Sequence, residues 1–361
     1  MKIAIIGCGG RIAYDIKTMY ELDQSITVNA ILDPDPGAKD KLIEAVRQSV
    51  IHVDSIEALL ATRPDAIAIG TRCDLHAPLA AAVAASGLPL FLEKPVAITM
   101  EQATALQRAY AGRENLVVVS FPLRLTPLAK EVKRIVRGPD FGRIEHLAAI
   151  NYVSYGDTYF KRWYRDTTIT QGLFLQKATH DLDYLMDLAG SPIIEVSAMA
   201  THGRVYRDAS AVDQSEPAHY LPSIGTPESG MNEDSSSVLF RFADGRHGVY
   251  TQQFFTRGKA EFRGATLGSL KGTLRFDWYQ GAIEHWHHES PFSHRAVIDS
   301  TVSHWGGDLE LARAFIACVR DQAPSPAPLS AGLRSAYACI AAKASAETSR
   351  FVAVAQVDDV L

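Results

Sequence analysis

Cysteine is scarce and scattered: Cys8, Cys73, Cys318 and Cys339 are the only four in 361 residues. No C-x-x-C pair occurs, so neither a disulfide scaffold nor a structural zinc site is expected, and a reducing compartment fits. Long apolar runs are missing too. None approaches the roughly 18 residues of a membrane-spanning helix, so no membrane partner is expected. The opening has one positive charge before a short apolar strand, too little for a signal-peptide core, which points to a cytoplasmic protein. Charge of one sign does not accumulate: 36 basic and 41 acidic residues are mixed along the chain, for a formal net charge of −5. That balance argues against nucleic acid as a partner. Repeats and low-complexity tracts are absent. At 47% hydrophobic and 21% charged residues the composition is that of a soluble globular protein. The length exceeds one ordinary core, so two domains are expected.

The first 120 residues alternate strand-like and helix-like segments. Strands are expected at Lys2 to Ile6, Ile26 to Leu32, Asp65 to Ile69, Pro89 to Leu92 and Leu116 to Ser120. Helices are expected at Leu75 to Ala85 and, after a Thr99-x-x-Gln102 capping pattern, at Thr99 to Ala111. This rhythm specifies an α/β domain with a doubly wound parallel sheet, over residues 1–122. From about Gly142 longer strand-like stretches take over: Ile144 to Tyr155, Ile193 to Thr201, Ser236 to Phe242, His247 to Phe254 and Glu261 to Leu267. Asp244-Gly245 supplies a turn. An α+β domain with a mainly antiparallel open sheet is therefore expected over 123–361. One helix, Thr179 to Leu188, covers a face, and helices at Leu309 to Arg320 and Leu329 to Ser349 close onto the rest. Val205 to Asn232 is polar and proline-bearing, and reads as a surface excursion or lid.

Gly7-Cys8-Gly9-Gly10-Arg11-Ile12 follows the first strand and matches two of the three glycines of a dinucleotide-binding turn. Gly7 permits the turn and Gly9 lets the backbone approach a pyrophosphate at a helix N-terminus. Ile12 stands where the third glycine is usual, so the turn is a modified one. Asp33 ends the second strand, where a carboxylate accepts from ribose hydroxyls and repels a 2′-phosphate. No Arg or Lys lies between Asp33 and Ala38, which favours NAD over NADP.

Glu93-Lys94-Pro95 follows the apolar run 88–92 and so falls at the carboxyl end of a sheet strand, where such sheets bind ligands. With Asp33-Pro34-Asp35, Thr71-Arg72-Cys73-Asp74-Leu75-His76, His180-Asp181-Leu182-Asp183 and Gly332-Leu333-Arg334, the triplet resembles the Gfo/Idh/MocA oxidoreductases. This is the glucose–fructose oxidoreductase and inositol dehydrogenase family, and the likeness spans nearly the whole chain. It implies that Lys94 binds the reacting hydroxyl and that His180 is a general acid/base. It also implies that Gly7, Cys8, Gly9, Gly10, Arg11, Ile12, Asp33, Thr71, Arg72, His76, Glu93, Lys94 and Trp163 surround the NAD, with Glu93 orienting Lys94. On the substrate side it implies Lys94, Trp163, Lys177, His180 and Asp181, and a homodimer or homotetramer.

Two departures stand out. Arg72 replaces a usual proline, and Gln176 stands where many members carry Asp four residues before the histidine. Lys177, on an α-helix, would lie one turn from His180 on the same face and would depress the histidine's pKa. It either grips a substrate oxygen or anion, or is a surface lysine. Phe160 to Arg165 interleaves three cations with aromatics and either reads a sugar ring and an anion or forms a solvated face. Arg124 is a linker contact or a pocket wall. His285 and His287 share a strand face without enough ligands for a metal site, and none is expected. His304 or Asp308 either borders a pocket or belongs to a helix entry.

Three functions fit the residues. One is an NAD-dependent oxidoreductase acting on a secondary hydroxyl of a sugar, cyclitol or sugar derivative, neutral or anionic. A second is a glycosidase that recycles NAD through transient oxidation and elimination. The third is a non-catalytic NAD-binding regulator.

Overall fold

The structure is a computed structural model that describes residues 1–206, 232–291, 293–298 and 303–357, the side chain of Arg162 excepted. The excursion expected over Val205 to Asn232 therefore lies, from 207 to 231, outside the described residues. The chain divides into two compact units. One holds Met1–Leu125, Gly306–Ala336 and the chain from Val357; the other holds Thr126–Trp305 and Tyr337–Gln356.

In the first unit, six strands form a parallel sheet: β1 (Lys2–Ile6), β2 (Thr27–Leu32), β3 (Ile51–Val53), β4 (Ala66–Ile69), β5 (Leu90–Leu92) and β6 (Val117–Val119). Their order is β3-β2-β1-β4-β5-β6. The chain switches direction of travel between β1 and β4, which makes a crevice at the carboxyl ends of those two strands. Strands buried on both faces read as unbroken apolar runs, and Ile3, Ala4, Ile5, Ala66 and Ile67 are fully buried. β3 is short and lies at an edge, with Ile51 exposed.

Helix α1 (Gly10–Leu22) turns Ile12, Ile16 and Met19 inward, and α2 (Cys73–Val83) and α3 (Met100–Ala109) follow β4 and β5. Thr99 caps α3 by accepting from the Gln102 N–H at 3.2 Å. The segment Gly306–Ala336 departs from the division at residue 122. Its helix α6 (Gly307–Arg320) places Leu311, Ala312, Phe315 and Cys318 in the same apolar cluster as Ile12, Ile16 and Phe91. Phe315 meets Phe91 edge to face at 5.4 Å.

The second unit begins with α4 (Pro127–Val136), entered through Thr126, which accepts from the Ala129 N–H at 3.0 Å. Nine strands follow: β7 (Ile144–Tyr152), β8 (Ile193–His202), β9 (Glu233–Phe242), β10 (His247–Gln253), β11 (Phe262–Ser269), β12 (Gly272–Asp277), β13 (Ala282–His287), β14 (Ser293–Val297) and β15 (Val352–Ala353). Their order is β14-β13-β12-β11-β7-β10-β9-β8-β15. Only β7 and β10 run parallel; every other pair is antiparallel.

Helix α5 (Thr179–Ala189) lies on one face, where Tyr184 meets Trp278 edge to face at 4.7 Å. A fully buried ion pair fastens it. Asp181 accepts from Nε and Nη2 of Arg263 on β11, at 2.9 Å each, and from Asn151 and Tyr250 at 3.0 Å each. On the opposite face Met199 is 81% and Leu239 44% exposed. The last long helix, α7, is Leu329–Thr348.

The missing third glycine of the turn has a physical explanation. Gly70 follows β4, and a Cβ there would lie 1.9 Å from Cγ1 of Ile12. The helix keeps its side chain and the neighbouring strand end omits one. Gly70→Ala is expected to destabilise the chain by about 1–3 kcal/mol through overpacking. Adding Ile12→Ala should relieve that strain, so denaturant midpoints should give a double-variant loss smaller than the sum of the single losses. Arg263→Met strands a buried carboxylate and should cost about 3–5 kcal/mol. Pairing it with Asp181→Leu should recover much of the loss in the same measurement.

Candidate functional site

The nucleotide-side residues lie where strands of the first sheet end. Gly7 follows β1 at φ +76°, and a Cβ there would approach Thr71 to 2.5 Å. Only glycine fits that turn. Gly9 precedes α1, which starts without a side-chain cap, and nothing stands within 4 Å of where a Cβ on Gly10 would be. A helix N-terminus with open space above it and no acid in its first turn is suited to phosphate oxygens. Asp33 follows β2, and its carboxylate accepts from the Cys8 and Asp35 N–H groups at 2.8 Å each. Cys8 therefore contributes its backbone; burial pushes its thiol up to about 11.

Three expected cofactor residues make bracing contacts. The Arg11 guanidinium reaches Asp308 at 2.6 Å, Asp15 at 3.1 Å and Glu93 at 3.3 Å. The guanidinium thus ties the turn to β5 and α6. Burial raises Asp15 well above the ordinary carboxylate range, and Glu93 and Asp308 add to the rise against Arg11. His76 is 2% exposed, with Nδ1 2.8 Å from the Pro95 carbonyl and Nε2 3.1 Å from that of Thr71. It ties the loop after β4 to the loop after β5, and burial lowers its pKa. Ile12 packs over Gly70. Arg72 is the residue before α2. Arg124 is buried and donates to the Pro326 carbonyl at 2.9 Å, within the same unit.

Glu93-Lys94-Pro95 comes directly after β5. Glu93 is 7% exposed; Oε1 faces Arg11, and Oε2 accepts from the Lys94 N–H at 3.3 Å. The Lys94–Pro95 peptide is cis. Lys94 is half-buried.

The substrate-side residues belong to the second unit. Leading into α5 the chain is π-helical over Phe174–Ala178, and both Gln176 and Lys177 are buried. A π turn inserts one extra residue, a feature frequent at functional sites. The α-helical spacing expected between Lys177 and His180 therefore does not describe them. Nor is Lys177 a surface lysine: it is 5% exposed, and its ammonium donates to the Tyr155 hydroxyl at 2.8 Å. His180 opens α5 and is 8% exposed. Asp181, expected at the substrate, has no exposed surface and is bonded to Arg263, Asn151 and Tyr250, which ties α5 to the sheet.

The loop 155–165 carries the aromatics. Trp163 stacks on Tyr164 at 4.0 Å, and Asn232 donates to the Tyr159 and Tyr164 carbonyls at 2.7 and 2.8 Å. Phe160 stacks on Tyr206 at 3.7 Å, and the Tyr206 hydroxyl reaches Asp157 at 2.5 Å. These contacts fix a rigid surface rather than a loosely solvated one.

His285 and His287 have ring centroids 4.1 Å apart. Among the described residues no group of three or more His, Cys, Asp or Glu is placed to hold a metal. Likewise, no described helix is long and apolar enough to cross a membrane. Sequence reasoning missed Tyr155, Tyr159 and Arg263. The tyrosines sit beside the cationic run and could have been noticed there; nothing in the sequence around Arg263 announces its partner.

Comparison with known proteins bears on both units. Residues 1–121 match the model of an oxidoreductase family with an NAD-binding Rossmann fold, and residues 129–300 match the GFO/IDH/MocA C-terminal domain. Inositol 2-dehydrogenase 2 of Saccharopolyspora erythraea is 27% identical over 199 residues, 55% of this chain and 56% of that protein. Inositol 2-dehydrogenase of Rhizobium meliloti is 28% identical over 176 residues, 47% of this chain and 50% of that one. The chain thus spans about half the length of these curated relatives. A levoglucosan dehydrogenase solved with NADH and L-sorbose is 17% identical, with a TM-score of 0.80 over 99% of this chain and 100% of the other. That likeness shows the shared fold. With a family model matched in each unit, the chain belongs to the Gfo/Idh/MocA family of NAD-binding oxidoreductases.

Proposed function

We propose that the protein is an NAD-dependent oxidoreductase that interconverts a secondary hydroxyl and a carbonyl on a sugar, a cyclitol or a derivative of either. The observation that carries this reading is the position of Lys94. It follows β5 directly, on a sheet whose β1 and β2 end in the Gly7 turn and Asp33. The turn fits a dinucleotide: a Cβ at Gly7 would collide with Thr71, and the space at Gly10 is open. Bound there, NAD supplies the hydride acceptor or donor. The inositol 2-dehydrogenases among the relatives support a cyclitol or sugar as substrate.

Lys94 is assigned to hold the reacting hydroxyl, and His180 to take or return its proton, because a developing carbonyl requires a positioned base. Glu93 fixes the backbone of Lys94 through its contact with the Lys94 N–H. Asp33 accepts from the ribose hydroxyls. Trp163 presents a flat apolar face to a ring, and Lys177 carries charge behind the aromatic loop. The outer sheet face, where Met199 and Leu239 are exposed, is assigned to self-association.

Lys94→Ala and His180→Ala are each expected to lower turnover by about a hundredfold or more, with NAD affinity by calorimetry little changed in His180→Ala. Asp33→Ala should weaken NAD more than NADP; an unchanged ratio would refute the ribose assignment. A polyol and glycoside panel scored for NADH and for released aglycone tests the reaction class, because a recycling glycosidase releases aglycone with no net NADH. Light scattering should give a multiple of the 39.4 kDa chain mass.

A further inference from the structure

The chain beyond Asp33 carries charge of both signs. It runs through Asp35 into a 3₁₀ turn, Ala38–Lys41, that holds Lys39, Asp40 and Lys41. Packing fixes this turn in place, because Ala38 and Leu42 belong to the same apolar cluster as Ile31. Asp35 shapes its entry. The Oδ1 atom accepts from the Gly37 N–H at 2.9 Å, and the Asp35 carbonyl accepts from the Ala38 N–H at 3.0 Å. The other carboxylate oxygen, Oδ2, faces the Lys41 ammonium at 3.7 Å.

This ion pair lies beside the acid that ends β2. One oxygen of Asp33 accepts from the Asp35 N–H and the other from the Cys8 N–H, at 2.8 Å each. The charge on Lys41 reaches the same place. Burial raises the Cys8 thiol, Lys41 pulls it down and Asp33 pushes it up. A lysine that the sequence places past the ribose acid is thus brought back to it by the turn. Arg47, a little further along, is turned to Asp40 instead, at 3.5 Å.

We infer that Asp35 is a specificity-determining residue for the dinucleotide, and that it acts by occupying Lys41. This deepens the reading of Asp33 as the ribose acid and rests on it. A 2′-phosphate next to Asp33 meets one carboxylate there and a second at Asp35, with Lys41 compensating only one of them. Without the Asp35 charge, Lys41 becomes an unneutralised point charge, and a phosphate is the anion such a charge pairs with. A ribose hydroxyl gains little from the same change. The side chains of Asp35 and Lys41 are 51% and 40% exposed, so the effect is moderate and screened by salt.

Calorimetry of NAD and NADP binding to the whole chain reads this as an affinity ratio, with no turnover involved. Asp35→Asn keeps an oxygen for the Gly37 N–H and removes only the charge. It should raise the NADP-to-NAD ratio by about fivefold at low ionic strength, with far-ultraviolet circular dichroism unchanged. Adding Lys41→Met should cancel the rise, whereas adding Lys39→Met should leave it. In about 1 M salt the rise should shrink toward zero. Lys41→Met alone leaves Asp35 unneutralised and should lower the ratio below that of the wild type. An unchanged ratio in Asp35→Asn, or a rise that survives Lys41→Met, overturns the inference. If the ratio moves in Asp33→Ala but not in Asp35→Asn, only the Asp35 assignment falls. If it moves in neither, the ribose reading of Asp33 falls and takes Asp35 with it.

Discussion

The ion pair between Asp181 and Arg263 is the constraint on which the second unit depends. Both groups are buried, and each loses hydration that only the other, with Asn151 and Tyr250, replaces. Desolvation of two charges is costly enough that such a pair adds little net stability; its effect is to penalise every arrangement that separates the partners. Here the partners belong to α5 and β11. Fixing Asp181 fixes the start of α5, and with it His180, one residue earlier, and the π turn that aims Lys177 at Tyr155. A group with no access to substrate thus governs His180, which is proposed to meet it.

The first unit depends on close approach instead. Its turn works because side chains are omitted where backbones meet, at Gly7 against Thr71 and at Gly70 against Ile12. The second case shows why a fingerprint read along one segment undercounts. The space that a third glycine makes on the helix is made here by a glycine 58 positions further along, on the neighbouring strand. Volume is conserved across the contact while the motif is not.

Much of the fold was legible because buried strands and amphipathic helices impose their own periods. β1, β2, β4, β5 and β6, the long strands β7 to β11, and the helices α3, α5, α6 and α7 fall within a few residues of their expected places. Two misses share a cause: β3 is short and half exposed, and β13 carries His285-Trp286-His287, so neither shows a clear apolar alternation. α4 was missed although Leu128, Ala129, Val132 and Val136 recur at helical spacing and are its buried residues. In the site, local residues such as Gly7, Asp33 and Lys94 could be found from their place after a strand. Partners chosen across the fold could not: Arg11 with Asp308, Asp181 with Arg263, and Lys177 with Tyr155 depend on three-dimensional proximity that no spacing encodes.

The return of residues 306–336 to the first unit has a consequence for how that unit comes into being. Phe315 covers Phe91, and Asp308 meets Arg11 across 297 residues of chain. During synthesis the amino-terminal sheet therefore emerges long before the helix that seals one side of it, and its apolar face must wait in the open. Any fragment cut after residue 125 inherits the same exposed face, so the nucleotide-side module is separable in space but not by a single cut in the gene.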